Sequence, residues 1–328
     1  MKTNVTVIVP VYKAANYIEK CAYSLFNQTL KNIEFIFIDD ASPDNSILKL
    51  EKVIVEYPEK KKNVSIIHNP ENLGPAISRD KALNIANGEF IIVVDSDDYI
   101  DENMLEVMYA EAIKTNSEIV VCDMSIEYKN KTIYFNDYVS ENKIEYFPDM
   151  LSNQKSSPSL CNKLIKRHLY LNPQSRNNGR AKYMEDRFVC TRLYYFASKI
   201  IKINRAFYHY NKKNTNATTH KYSREHFESL IIFWENIDRF LLVNKIYEHY
   251  KELVIQTKIK DKIKLMMYVD SYIVRKEYGH LFNEYQANKY IDLKIGEKLM
   301  LFFIQKKMFI FTTLLRKLIE LKTFVLKK

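Results

Sequence analysis

Glycine is scarce in this 328-residue chain. There are five, where average usage of about 7% would give roughly 23. The five (Gly74, Gly88, Gly179, Gly279, Gly296) form neither G-x-G-x-x-G nor G-x-x-x-x-G-K, which excludes the glycine-loop dinucleotide folds and the P-loop NTPases. Any nucleotide must be held in another way. Cysteine is sparse too: Cys21, Cys122, Cys161 and Cys190 lie far apart with no C-x-x-C pair. That argues against a disulfide framework or a zinc site and for a reducing cytosol. Long apolar runs are also missing. The N-terminal run Val5–Val9 stops at Pro10, too short for a signal peptide or a membrane span, so no export signal is expected.

What is present describes a folded chain: 47% hydrophobic and 27% charged residues, with a net charge of +10. Proline punctuates the first part and is absent after Pro173. Before that point strand-like and helix-like segments alternate. Val5–Val9, Ile33–Ile38, Val64–His68, Phe90–Val94 and Ile119–Asp123 read as strands. Tyr17–Asn27, Ser46–Tyr57, Gly74–Ala86 and Asn103–Asn116 read as helices. Near-continuous Val/Ile runs separated by helices predict a mainly parallel sheet covered on both faces. Later, Ile126–Tyr138 reads as hairpin, Leu160–Ile165 as a strand, Met184–Phe196 as a helix and Phe207–Tyr210 as a short strand. From about Arg224 onward apolar residues recur at helical spacing. The expected domains are 1–220, α/β, and 221–328, helical.

In open parallel sheets ligands bind beyond the carboxyl ends of the strands. Those ends read Pro10-Val11-Tyr12, Asp39-Asp40-Ala41-Ser42, Asn69 with Asn72 and Gly74, and Asp95-Ser96-Asp97-Asp98. For a single acid, capping the following helix is the competing reading. Three acids in four positions exceed what a cap needs, because close carboxylates repel unless a cation separates them. Hard oxygen ligands suit Mg2+ or Mn2+ bridging a diphosphate.

Four ordered blocks, Val5–Tyr12, Phe37–Ser42, Asn72–Asp80 and Val94–Asp98, resemble the motifs of the family 2 inverting glycosyltransferases of bacterial capsule and surface-polysaccharide synthesis. The resemblance spans roughly residues 3–215. It implies the GT-A fold, a nucleotide-sugar donor, expected to be a UDP-sugar, and a saccharide or lipid-linked acceptor at the cytoplasmic face of the membrane. By resemblance Pro10 and Tyr12 line the base pocket, Asp40 with Asp39 accepts a hydrogen bond from uracil, and Asn72 lies in the third block. Arg79 faces the nucleotide. Asp95, beside Ser96, orients the ribose or donor, and Asp97, with or without Asp98, binds the metal. Position 80, usually Asn in the family, is Asp80 here. Met184-Glu185-Asp186-Arg187-Phe188 resembles the acceptor-side Glu-Asp pair, with Asp186 as catalytic base and Glu185 beside it. A carboxylate on that side is what single displacement requires. A helix N-terminal acid favoured by the dipole is the competing reading.

Tyr208-His209-Tyr210 and the following Asn214, Asn216, Thr218, Thr219 and His220 resemble the segment that closes over the diphosphate. Lys212 and Lys213 stand where the family often has Arg. His209 or His220 is a candidate metal or phosphate ligand, or an ordinary hydrogen-bonded histidine. Asn162-Lys163-Leu164 resembles a stretch beside the acceptor pocket, with Cys161 in place of the family's Trp. Residues 299–328 carry seven Lys/Arg and one acid, Glu320. Two readings stand for this tail: an amphipathic helix lying on an anionic bilayer, or a helix docked on its own domain or on a second subunit. No nucleic-acid-binding motif appears. A nucleotidyltransferase lacks its glycine-rich loop here, whereas a catalytically silent sugar-nucleotide binder would keep the same motifs.

Overall fold

The computed structural model describes residues 2–153, 155–176, 183–213, 222–284 and 293–325, with side chains through 318. Asn214, Asn216, Thr218, Thr219 and His220 lie outside the described residues, as do Lys327, Lys328 and the side chains of Glu320 and Lys322. In chain order the elements are β1 (Val5–Val11), α1 (Ile18–Phe26), β2 (Ile33–Asp39), α2 (Ser46–Glu56), β3 (Val64–His68), α3 (Pro75–Ile85), β4 (Phe90–Val93), β5 (Tyr99–Ile100) and α4 (Met104–Thr115). These are followed by β6 (Ile119–Glu127), β7 (Thr132–Phe135), α5 (Lys143–Ser152), β8 (Lys163–Lys166), α6 (Arg167–Leu171), α7 (Glu185–Phe196) and β9 (Ile200–Asn211). The remainder is helical: α8 (Arg224–Val243), α9 (Tyr247–Tyr268), α10 (Tyr272–Tyr278), α11 (Ile295–Gln305) and α12 (Phe309–Val325). Two compact units emerge, Met1–Thr215 and Asn216–Lys328.

The first unit is built on one sheet of order β3-β2-β1-β4-β8-β6-β9-β5, with β7 paired to β6. β3, β2, β1 and β4 run parallel. β8 joins antiparallel to β4 and to β6, and β9 runs parallel to β6. The apolar runs explain the arrangement. Val5, Val7, Ile8, Val9 and Val11 are all fully buried, as expected of a strand covered on both faces. Pro10 is tolerated because β4 ends at Val93 opposite Ile8, so no ladder bond is lost at the missing N–H. Phe26 of α1 packs edge-on against Phe35 of β2 at 5.2 Å, locking that helix over the sheet. Gly88 answers a close approach: a Cβ there would lie 2.4 Å from the backbone nitrogen of Thr6. All four cysteines are buried and free.

In the second unit α8 buries Phe227, Leu230, Trp234, Ile237 and Leu241, a stripe at three- and four-residue spacing. Lys258 pairs with Asp238 at 2.6 Å, and Trp234 Nε1 donates to Asp261 at 3.2 Å. The Lys262 ammonium donates to the carbonyls of Gly279 and Leu281.

Candidate active site

The loops beyond β1, β2 and β4 form one rim of the first unit, and two of them turn through non-glycine left-handed residues, Lys13 (φ 52°) and Ala41 (φ 53°). Such conformations persist only where neighbours enforce them. Here the Lys13 amide donates to Ser42 Oγ at 2.8 Å, the Ala14 amide to Ser46 Oγ at 2.9 Å and the Ala15 amide to Asp44 at 3.0 Å. The stitching leaves Pro10 half-buried and the Tyr12 ring 41% exposed. Asp39 is held by the Ser42 amide and lies 2.9 Å from His68 Nδ1. Asn72 is exposed. Asp40, the residue expected to meet uracil, has protein partners of its own. It is buried, one oxygen accepts from Asn69 and the Leu73 amide, and the other accepts from the Gly74 amide, all within 2.9 Å. Its carboxylate anchors the turn into α3, where Gly74 takes φ 84°.

The β4–β5 loop carries Asp95, Ser96, Asp97 and Asp98. Asp95 and Asp97 are partly exposed, and Ser96 is buried, so Ser96 offers no surface to a donor. Asp98 departs from the expectation that it shares the metal. It is buried and accepts from Tyr208 Oη and the Asn211 amide, both at 2.7 Å. The same Tyr208 hydroxyl accepts from the Asp95 amide at 3.2 Å. Asp98 therefore ties the carboxylate loop to β9. The sequence reading named Tyr208 only as part of the segment expected over the diphosphate, and Asn211 escaped it.

Across this loop sits the first turn of α7, preceded by Met184 in a left-handed conformation (φ 66°). Asp186 is 32% exposed. Its Oδ1 accepts from Arg79 Nη1 at 2.6 Å, and Oδ2 lies 3.4 Å from the Leu160 amide. Glu185 lies 3.6 Å from the other end of the same guanidinium. Arg79, expected at the nucleotide, is instead buried between α3 and α7 and grips both acids. A planar fork suits two carboxylates better than an ammonium would.

The electrostatics show that these acids share one place. Burial, then the Asp97 and Asp186 charges, push the Asp95 carboxyl up to about 7, and Arg79 pulls it back only in part. Burial and Asp186 push Glu185 up to about 7 against the pull of Arg79. Asp98 is also raised, by burial first and then by Asp95 and Asp97. At Arg79 burial opposes the charge, but Asp186, Glu185 and Asp95 outweigh it and hold the guanidinium protonated. An acid raised on folding binds more protons folded than unfolded, so its contribution to stability falls as pH climbs from the unfolded value toward the folded one. For Asp95 that window runs from 3.8 to about 7. Thermal unfolding of the metal-free protein should therefore show Tm declining from about pH 4 to about pH 7. Asp95→Asn should flatten that slope, and an unchanged slope would contradict the assignment.

A carboxylate cluster strained by its own repulsion fits a hard divalent cation. Among the described residues no group of three or more His, Cys, Asp or Glu side chains is arranged to enclose a metal alone. Mg2+-type sites need only one or two carboxylates when substrate phosphates and water complete the shell.

Two further residues of the expected site, Lys163 and His209, have protein partners. Lys163 is fully buried. Its ammonium lies 3.3 Å from Asp137 and donates to the carbonyls of Ser157 and Ser159 and to Asn162 Oδ1 within 2.9 Å. It fixes the loop leading to Leu160. His209 stacks on Tyr99 with centroids 4.3 Å apart. One ring nitrogen lies 2.8 Å from Asp101 and the other 3.0 Å from Ser125 Oγ, so both are engaged within the sheet. Lys213 is likewise taken, 2.9 Å from Glu127, and Lys212 lies over the Tyr210 ring.

Comparison with known proteins agrees with this geometry. Residues 6–171 match the model of glycosyl transferase family 2. The cholesterol galactosyltransferase of Borreliella burgdorferi is 30% identical over 349 aligned positions, covering 90% of this chain and 92% of that one. Among solved structures, TarS of S. aureus (residues 1–349, with UDP-GlcNAc) shares the fold at TM-score 0.56 and 20% identity over 86% of this chain and 88% of that one. The mannosyltransferase PcManGT of Pyrobaculum calidifontis, with GDP-Man and Mn2+, does so at 0.53 and 15% over 97% and 88%. With this match and a GT-A-like sheet, the chain belongs to glycosyl transferase family 2 and is a glycosyltransferase.

Proposed function

We propose that this glycosyltransferase moves a sugar from a UDP-sugar, with inversion, to a hydroxyl of a saccharide or lipid-linked acceptor in bacterial surface polysaccharide or glycolipid assembly. The observation that carries the reading is the start of α7, where Arg79 holds Asp186 at 2.6 Å and Glu185 at 3.6 Å, close enough to the β4–β5 loop that Asp95 feels the Asp186 charge. Single displacement needs such an arrangement, with a base on one side of the transferred sugar and a charge-stabilising group on the other.

Asp186 takes the proton from the attacking hydroxyl as the new bond forms at the anomeric carbon and the bond to the diphosphate breaks. Arg79 aims it: one nitrogen holds Oδ1, leaving the partly exposed carboxylate open toward the acceptor side. Asp97 would hold the divalent cation together with diphosphate oxygens, and that cation offsets the charge growing on the leaving group. The exposed Tyr12 ring offers a stacking surface for the base. Asp40, Asp98 and Lys163 act through their neighbours by fixing the loops. UDP is favoured by the TarS complex, and the PcManGT complex with GDP-Man makes the guanine nucleotide its rival.

A thermal-shift screen separates them. UDP should raise Tm in Mn2+ and lose the effect in EDTA, since a ligand bound only by the folded state stabilises it by mass action. A response to GDP alone would overturn the UDP assignment, and a product with retained anomeric configuration would overturn the single displacement.

A further inference from the structure

The second unit presents a surface with no role in sugar transfer. On α11 the residues Ile295, Leu299, Phe302 and Lys306 recur at i, i+4, i+7 and i+11 and are all exposed, Ile295 by 80%. On α12 the residues Ile310, Leu314, Lys317 and Leu318 repeat the pattern, with Ile310 66% exposed. The opposite faces are core: Met300, Leu301 and Ile304 on one helix, Phe309 and Thr312 on the other. The two exposed stripes are joined. Phe302 contacts Phe303 at 5.7 Å, and Phe303 stacks on the half-exposed Phe311 at 5.4 Å. Two helices thus lay one continuous aromatic and aliphatic surface open to solvent, more than scattered exposed residues would produce.

Its rim is basic. Lys294, Lys298, Lys306, Lys307 and Lys317 are exposed, and none forms an ion pair among the described residues. Arg316 is committed to Asp270. Between residues 293 and 318 the one acid is Glu297, which accepts from the Lys294 amide. A second copy of the chain seated here by two-fold symmetry would set lysines against lysines. No described helix is long and apolar enough to cross a membrane. An apolar face edged with lysine on a helix that does not span is the pattern of an interfacial helix, its rings at headgroup depth and its ammonium groups reaching lipid phosphate.

We infer that the α11–α12 face is a docking surface for an anionic bilayer, on which this unit lies without crossing. The inference does not depend on which sugar is transferred. The test is co-sedimentation of the full chain with vesicles of equal parts phosphatidylglycerol and phosphatidylcholine, against phosphatidylcholine alone. Binding should require the anionic lipid and weaken in salt. The triple variant Ile310→Ser, Leu314→Ser, Leu318→Ser should bind at least about tenfold more weakly, with an unchanged circular dichroism spectrum. Lys306→Glu with Lys307→Glu and Lys317→Glu should lose the preference for anionic lipid. The inference is overturned if neither variant changes binding, or if the wild-type chain fails to pellet with anionic vesicles. A lipid-free dimer that the serine variant dissociates would also overturn it, assigning the face to a second copy.

Discussion

Asp186→Asn should lower sugar transfer by about 10²- to 10⁴-fold, the range general-base catalysis contributes, while UDP still binds in Mn2+. The amide keeps the size of the side chain and an oxygen for Arg79, so the fold at α7 should persist. What disappears is the group that takes the acceptor's proton. The electrostatics add a second signature. Asp186 is one of the charges that raise Asp95, so neutralising it should let Asp95 ionise at lower pH. Metal-dependent UDP binding should then hold or tighten as transfer collapses. Isothermal titration with UDP and Mn2+, beside a transfer assay on the same preparation, reads both. Loss of binding equal to loss of transfer would place Asp186 in the donor site instead, and transfer at the wild-type rate would remove it from the chemistry.

Asp97→Ala should have the opposite profile, with UDP affinity in Mn2+ falling by at least about tenfold, or about 1.4 kcal/mol, and UDP affinity in EDTA unchanged. Asp98→Ala is the informative neighbour. Its carboxylate serves Tyr208 and the Asn211 amide, and each donor left buried without a partner costs about 1–3 kcal/mol. Asp98→Ala should therefore lower Tm, whereas Asp97→Ala should leave Tm nearly unchanged. If the two variants behaved alike, the division between a metal-facing and a structural carboxylate would fail. The division comes from burial: Asp97 is partly exposed, while Asp98 points inward against β9.

That contrast also marks how far the sequence could be read. The strands of the first unit announce themselves because a strand buried on both faces has little choice but Val, Ile and Phe, as in Val5–Val11 and Ile33–Asp39. Helix ends followed from punctuation, such as Pro75 at the start of α3. The acids at the strand ends were legible as a group because so many like charges in one stretch need a reason. Which acid faces outward was not legible. Asp39 and Asp40 are adjacent and chemically identical, yet the first lies at the rim while the second is consumed by Asn69, Leu73 and Gly74. Lys163 and His209 misled for a related reason. A charged residue in a familiar block suggests a ligand, and only packing reveals that Asp137 or Asp101 already answers it. The role of Arg79 depends on a contact 107 residues away in the chain, a separation that no local pattern encodes.

A crystal structure of the chain with UDP and Mn2+, with the metal located by its anomalous scattering, tests the arrangement most directly. The metal should be coordinated by an Asp97 oxygen and touch the diphosphate, with Asp186 facing the vacant sugar position from the opposite side. Mn2+ bound away from Asp97, or Asp186 on the same side as the diphosphate, would contradict it.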